Sequence, residues 1–448
     1  MNAEIRGSGF FKSHPAGLST LFFTEMWERF SFYGMKAILV LFMLAAVQDG
    51  GLGMSQEHAS MIFGIYGMAV YLMAMPGGLL ADRYLGAWNA VLLGGIIIAI
   101  GHFVMVLPGL TPFYASMVLI VAGTGLLKPN ITRLVGSLYA KNDDRSDAGF
   151  AIYYMGINVG ATLAPIICGF LAQSPWVRDF LTARGLDPNL GWHLGFAAAG
   201  VGMVFGIVQF VLHRDRFANL KVQEEEKSIT AEGNEWKRMA VIGILFLFSA
   251  LFWAVYEQGG ASLNVFAEKN VRAEIFGWSF PSSWFQAFQA VFVLVLTPVF
   301  AKIWLVLAQR KQEPSSPIKF SLGLLALGIG IAVAVPAVLF AASGTISPVW
   351  LALIFFIEVV GEMMFSPVGL RTVDQLAPKR FAGFTLGIWF LSVSLGAFLA
   401  GYLSSFYKPD DMGANAWLYG GMAAALIAAS GLLALLAPKL RKLMGNVR

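Results

Sequence analysis

The chain has 448 residues, 57% of them hydrophobic and only 13% charged, with a net charge of +5. A soluble globular domain is nearer a quarter charged, so this composition excludes one and describes a polytopic membrane protein. In such a protein basic residues mark cytoplasmic loops, so the positive surplus is no sign of nucleic-acid binding. The single cysteine, Cys168, lies in an apolar run. It rules out a disulfide within the chain and argues against a cysteine-rich metal site. No cleavable leader is expected, because the first apolar run is too long and too charged.

Hydropathy predicts about 12 spans of roughly 20 or more residues. The first six lie near 18–46, 57–82, 87–108, 112–137, 148–172 and 191–213. A polar stretch follows, with the acidic run Glu224, Glu225 and Glu226, and reads as a solvated cytoplasmic linker. The second six lie near 237–260, 280–308, 317–342, 347–371, 381–406 and 414–437. With both termini in the cytoplasm, Arg178, Arg184, Lys269, Arg272 and Lys408 fall outside, and Arg29, Lys36 and Lys128 fall within spans. That leaves 23 of the 31 Lys and Arg residues on or near the cytoplasmic side, and the asymmetry sets the orientation.

The expected organisation is a six-helix bundle over 1–213, a linker over 214–236 and a second six-helix bundle over 237–448. This is the layout of the major facilitator architecture: an all-α membrane protein of 12 transmembrane helices, in two six-helix bundles around a central cavity. Residues 77–86, Gly-Gly-Leu-Leu-Ala-Asp-Arg-Tyr-Leu-Gly, resemble that superfamily's loop motif G-x-x-x-D-R-x-x-G. Gly77 and Gly78 allow close helix contact, and Asp82 and Arg83 supply a polar clasp at the membrane surface. An ordinary helix end with a basic anchor is the alternative.

The first span carries Glu25, Glu28, Arg29 and Lys36. At about 100° per residue, Glu28, Arg29, Phe32 and Lys36 fall within roughly 60° of Glu25, so the charges form one stripe. A charge at the bilayer centre costs about 2.5–3.5 kcal/mol on insertion scales, so the stripe should face protein or a water-filled cavity. Lys128 lies deep in span four, before Pro129, which weakens the helix locally. A buried ammonium needs a carboxylate, and Glu25 and Glu28 are the natural partners; snorkelling to the surface is the alternative.

Asn158 in span five can bond a substrate amide or an adjacent helix. Glu257 ends span seven near the outer surface, where it can exchange protons with the outside or simply be exposed. Gln286 and Gln289 begin span eight, where helix–helix hydrogen bonding competes with ligand contact. Span ten carries Glu358 and Glu362 at i,i+4, hence on one face, above a bend expected at Ser366-Pro367. Two carboxylates this close favour protonation of at least one. Trp389 in span eleven reads more as core than as pocket wall. Half one thus offers Arg29, Lys36 and Lys128, and half two offers Glu257, Glu358 and Glu362. Walls of opposite sign suit a zwitterion better than a neutral sugar.

At these residues the chain resembles the proton-dependent oligopeptide transporters, a branch of the major facilitator superfamily. Glu25-x-x-Glu28-Arg29-Phe30 resembles the family's ExxERF motif, and Phe150 to Leu163 its Phe-Tyr-x-x-Ile-Asn-x-Gly signature. Lys128, Phe252-Trp253 with Glu257-Gln258, Gly361-Glu362 with Ser366-Pro367, and Trp389 stand in matching contexts.

The resemblance implies proton-coupled symport of di- and tripeptides into the cytoplasm by alternating access, across the inner membrane. Protons are the coupling ion, with no other cofactor and no metal. Arg29 and Lys36 would bind the peptide carboxylate, Glu362 the amino group, and Asn158 and Gln289 the peptide backbone. Tyr33, Tyr71, Trp253, Trp284 and Trp389 would line side-chain pockets. Glu25, Glu28, Arg29 and Lys128 would form the proton-linked network, with Glu257 a further proton site. Lys36, Phe32 and Gln289 depart from the arginine, tyrosine and asparagine usual in the family, so affinity and peptide length preference are open.

The polar linker leaves no room for the two extra helices that many bacterial members carry. The partners expected are peptides, protons and the lipid bilayer, and the chain is expected to act as a monomer. Two other readings stay open: the same fold carrying nitrate or a drug-like anion, and a peptide receptor without transport. An enzyme is not expected, since no zinc-ligand pair or serine–lysine dyad stands in a convincing context.

Overall fold

The computed structural model describes residues 9–140, 143, 145–217, 235–275, 277–376 and 382–444. Most of the expected linker, 218–234, lies outside the described residues. The long apolar runs fold as helices because only a helix satisfies its own backbone polar groups in lipid. The helices in the first half of the chain are α1 (Ala16–Leu44), α2 (Gln56–Leu72), α3 (Ala74–Leu80), α4 (Ala87–Met105), α5 (Leu110–Ser137), α6 (Ser146–Gln173), α7 (Pro175–Ala183) and α8 (Gly191–Leu212). The second half supplies α9 (Glu235–Tyr256), α10 (Ser262–Asn270), α11 (Gln286–Gln309), α12 (Ser316–Ala341), α13 (Val349–Leu376), α14 (Ala382–Ser404) and α15 (Met412–Met444). Among the described residues, 10 helices are long and apolar enough to cross a membrane. The other two predicted spans are α1, 29 residues long with its charged stripe, and α14, whose described apolar stretch is Trp389–Ser404.

The structure adds to the predicted spans the short helices α7 and α10 and two further features. A small antiparallel hairpin, β1 (Glu274–Ile275) and β2 (Trp278–Ser279), follows α10. Span two is broken at Met73 into α2 and α3. Pro76 of α3 has no N–H to give the Leu72 carbonyl, and this breaks the helix. A second proline shapes the contact with α5. Pro129 has no N–H to give the Gly125 carbonyl, and that carbonyl is where Gly77 of α3 approaches. A Cβ on Gly77 would stand 2.0 Å from the Gly125 oxygen, so only glycine permits the contact. Gly78, by contrast, has nothing closer than the Pro129 ring at 3.9 Å. The loop motif then continues as a π-helical turn, Ala81–Leu85, closed by the Gly86 N–H on the Ala81 carbonyl at 2.8 Å. Gly86 has φ +73°, which explains the glycine at the motif's end.

Chain contacts divide the molecule into two compact units, the described residues of Met1–Met54 with Ala69–Glu225, and those of Ser55–Met68 with Glu226–Arg448. In the first unit α1 packs along α6 and α8, and α4 along α5. Its core gathers Leu18, Leu21, Val91, Leu127, Met203 and Phe210. In the second unit α12 packs against α13 and α15, and α14 against α9. The start of α2 belongs there because it is bonded to α14: Ser60 and Ser404 share hydroxyls at 3.0 Å, and Ser394 donates to the Met68 carbonyl at 2.8 Å. Apolar side chains such as Leu79, Val118, Leu247, Val295 and Leu432 are exposed on the spans, as a lipid-facing surface requires.

Candidate functional site

The charged stripe of α1 is buried inside the first unit. Glu25, Glu28 and Arg29 are 2%, 1% and 4% exposed. Their partners are mainly one another. The Arg29 Nε lies 3.3 Å from Glu25 Oε1 and is bonded to Glu28 as well. Helix spacing alone delivers this arrangement, since residues one turn apart share a face. Arg29 Nη2 and Glu25 Oε2 are buried and meet no hydrogen-bond partner among the described residues. The guanidinium also lies 5.1 Å from the centre of the Phe32 ring.

Lys128 Nζ sits over the Tyr71 ring, 4.2 Å from the centroid, and its charge acts on Glu25, one of the two acids expected to partner it. A cation over an aromatic face is attracted by the ring quadrupole. Lys128 is half-buried rather than snorkelled into water, and α5 stays helical through Pro129. Lys36 is also half-buried, with its Nζ 5.9 Å from the Tyr33 ring centre. Tyr153 of α6 faces Glu25 and is a member of the cluster that sequence reasoning missed. Only the packing of α6 on α1 reveals it.

Asn158 is buried, and its amide donates to the Tyr154 carbonyl of its own helix at 3.0 Å. At the loop motif, Asp82 pairs with Arg133 at the end of α5 rather than with the neighbouring Arg83. Both members of that pair are well exposed, so it contributes at most about 1 kcal/mol.

The second unit carries the acids. Glu257 opens a short 3-10 turn at the end of α9 and is 8% exposed, which removes the surface reading of that residue. Glu362 is 9% exposed and accepts a hydrogen bond from Tyr256, a partner the sequence did not single out. The charge of Glu257 acts on Glu362. Gln286 and Gln289 make helix–helix contacts: Gln286 donates to the Gly259 carbonyl, and Gln289 Nε2 to Glu358 Oε2 at 3.2 Å. Trp253 packs edge-on to Tyr256 and leaves its buried Nε1 without a partner among the described residues. Trp284 is half-buried against Trp278 and Phe280. Trp389 is 5% exposed and packed on Phe320, Phe365 and Gly369, in keeping with the core reading of the sequence.

The family model for the POT family matches residues 88–231 and 220–418. The peptide transporter YePEPT of Yersinia enterocolitica is 34% identical, covering 99% of this chain and 98% of that protein. A di-/tripeptide transporter of Lactococcus lactis is 33% identical, with 98% of each covered. A crystal structure of a POT peptide transporter in complex with alafosfalin superposes with a TM-score of 0.88 at 36% identity, over 99% of this chain and 98% of that one. The chain is thus a multi-pass membrane protein of the major facilitator fold, and it belongs to the POT family, the proton-dependent oligopeptide transporters.

Proposed function

We propose that the protein carries di- and tripeptides into the cytoplasm together with protons, across the inner membrane and with both termini cytoplasmic. The observation that carries the reading is Arg29: a buried guanidinium whose Nη2 has no partner among the described residues, beside Glu25 and Glu28. A bare donor there is ready for a carboxylate, and Tyr33 and Lys36 stand one and two turns along the same helix face. The second unit offers Glu362, held by Tyr256, to an ammonium. Relatives named as peptide transporters, and a POT family structure with a thioalcohol-conjugated peptide, support peptides as the cargo.

Protons enter on carboxylates such as Glu257 and the Glu25/Glu28 pair, and Lys128 recovers a carboxylate partner as the proton leaves. Protons favour one state of the cycle only by binding it more tightly. The test is uptake of dialanine by proteoliposomes under an imposed pH gradient. Accumulation that follows the gradient is expected, and indifference to it would overturn the coupling. Lys128→Ala should abolish gradient-driven uptake; full retention removes that lysine from the mechanism.

A further inference from the structure

Glu358 has no task in the mechanism above, yet it is one of the least accessible acids in the molecule. It lies on α13, one turn before Glu362, and its relative exposure is 0%. Every helix around it is accounted for. From α12, Gly330 presses on its stem, with an ideal Cβ 3.3 Å from the Glu358 Cγ. From α11, Gln289 Nε2 donates to Oε2 at 3.2 Å. From α15, Tyr419 is the titratable group that feels its charge, and that hydroxyl is bonded to Ser262 at 3.1 Å. From α9, Tyr256 donates to Glu362 instead. The described side chains of α14 include no acid or base apart from the exposed Tyr402. The cation of α12, Lys319, is about 16 Å from Gly330 along the helix and is held by Glu313. Oε1 of Glu358 meets no hydrogen-bond partner among the described residues.

A carboxylate in that position would be a buried charge with one neutral donor and a second acid a turn away. A neutral carboxyl there has no charge to bury, and its unbonded oxygen can hold a proton. Within the proposed symport, on which this step rests, Glu362 must be ionised to pair with a peptide ammonium. A second negative charge four residues away is then least favourable.

We infer that Glu358 is a further proton-binding carboxyl of the transport cycle, carrying a proton alongside the peptide while Glu362 is ionised against the peptide's amino group. The proton is bound at the carboxyl and returned to water when the peptide leaves, and no other bond changes. Gln289 is the positioning residue, since its amide fixes which oxygen is left for the proton.

The test is the equilibrium accumulation ratio of dialanine in proteoliposomes at zero membrane potential. Each coupled proton sustains about tenfold accumulation per pH unit. Glu358→Gln should therefore lower the ratio about tenfold under a gradient of one pH unit, and Glu358→Asp should restore it. A merely structural role slows the approach to equilibrium without moving its end point, so an unchanged ratio in Glu358→Gln overturns the inference. A wild-type protein that fails to accumulate peptide at all sinks the symport reading instead. Should Glu358→Gln not fold, the wild type with peptide bound decides: its infrared spectrum at neutral pH must hold a protonated-carboxyl band, and absence of one overturns the assignment.

Discussion

Removing the guanidinium that bonds both acids of the α1 cluster is the sharpest perturbation the structure offers. Arg29→Met keeps the length of the side chain and deletes its charge. It leaves Glu25 and Glu28, 2% and 1% exposed, as two buried carboxylates without the guanidinium that bonds both. Breaking a buried ion pair by removing one partner costs about 3–5 kcal/mol. At about 2–4 °C per kcal/mol for a unit of this size, Tm should fall by about 6–20 °C. The assay is thermal unfolding in detergent at several pH values. Protonation of the stranded acids removes the repulsion, so the deficit should narrow as pH falls and widen as pH rises. Combining Arg29→Met with Glu25→Gln and Glu28→Gln should recover most of the loss, because replacing a whole buried ionic cluster by neutral groups is close to neutral. A single variant that melts with the wild type, or a triple variant that melts below the single one, refutes the reasoning.

Two further outcomes follow from the loop motif and the α5–α6 connection. Gly77→Ala places a methyl 2.0 Å from the Gly125 oxygen, so α3 and α5 must part by about 1 Å at a cost of about 1–3 kcal/mol, whereas Gly78→Ala should be nearly silent; equal melting of the two variants contradicts the contact. Hydrogen bonds from the Arg145 side chain and backbone hold the Asp143 carboxyl down at about 2. That is below its unfolded value of about 3.9, so its contribution is present above about pH 4 and is lost as pH falls through about 2. The Tm deficit of Asp143→Asn should accordingly vanish toward pH 2, and a deficit that persists there argues against the shift.

The spans were legible because a bilayer leaves few options for an apolar run of 20 residues, and the charged residues stood out because charge in a membrane is costly. Which charge meets which was only partly legible. Lys128 was expected to meet Glu25 or Glu28, and its charge does act on Glu25; not foreseen were the bonds of Arg29 to both acids and the place of Lys128 over the Tyr71 ring. Helix spacing contained the first of these. The break at Met73 was legible in principle, since Pro76 in span two leaves the Leu72 carbonyl without an N–H donor. Tyr153 and Tyr256 were invisible, since each matters only through the acid that a neighbouring helix brings to it.

The α1 cluster also has a charge count that bears on coupling. Glu25, Glu28, Arg29 and Lys128, taken as ionised, sum to zero. A peptide carboxylate arriving at Arg29 makes the buried sum −1, and one proton on Glu25 or Glu28 restores it. Cargo carboxylate and proton should therefore favour each other's binding, and by linkage the effect is reciprocal. A peptide with its carboxylate esterified brings no such charge. Dialanine should bind more tightly as pH falls from 8 to 6, and its methyl ester should lose that dependence, with binding read by competition against a labelled peptide. Equal pH dependence for acid and ester would mean that the proton is tied to the cargo elsewhere, and that Arg29 and its two acids only hold α1 in place.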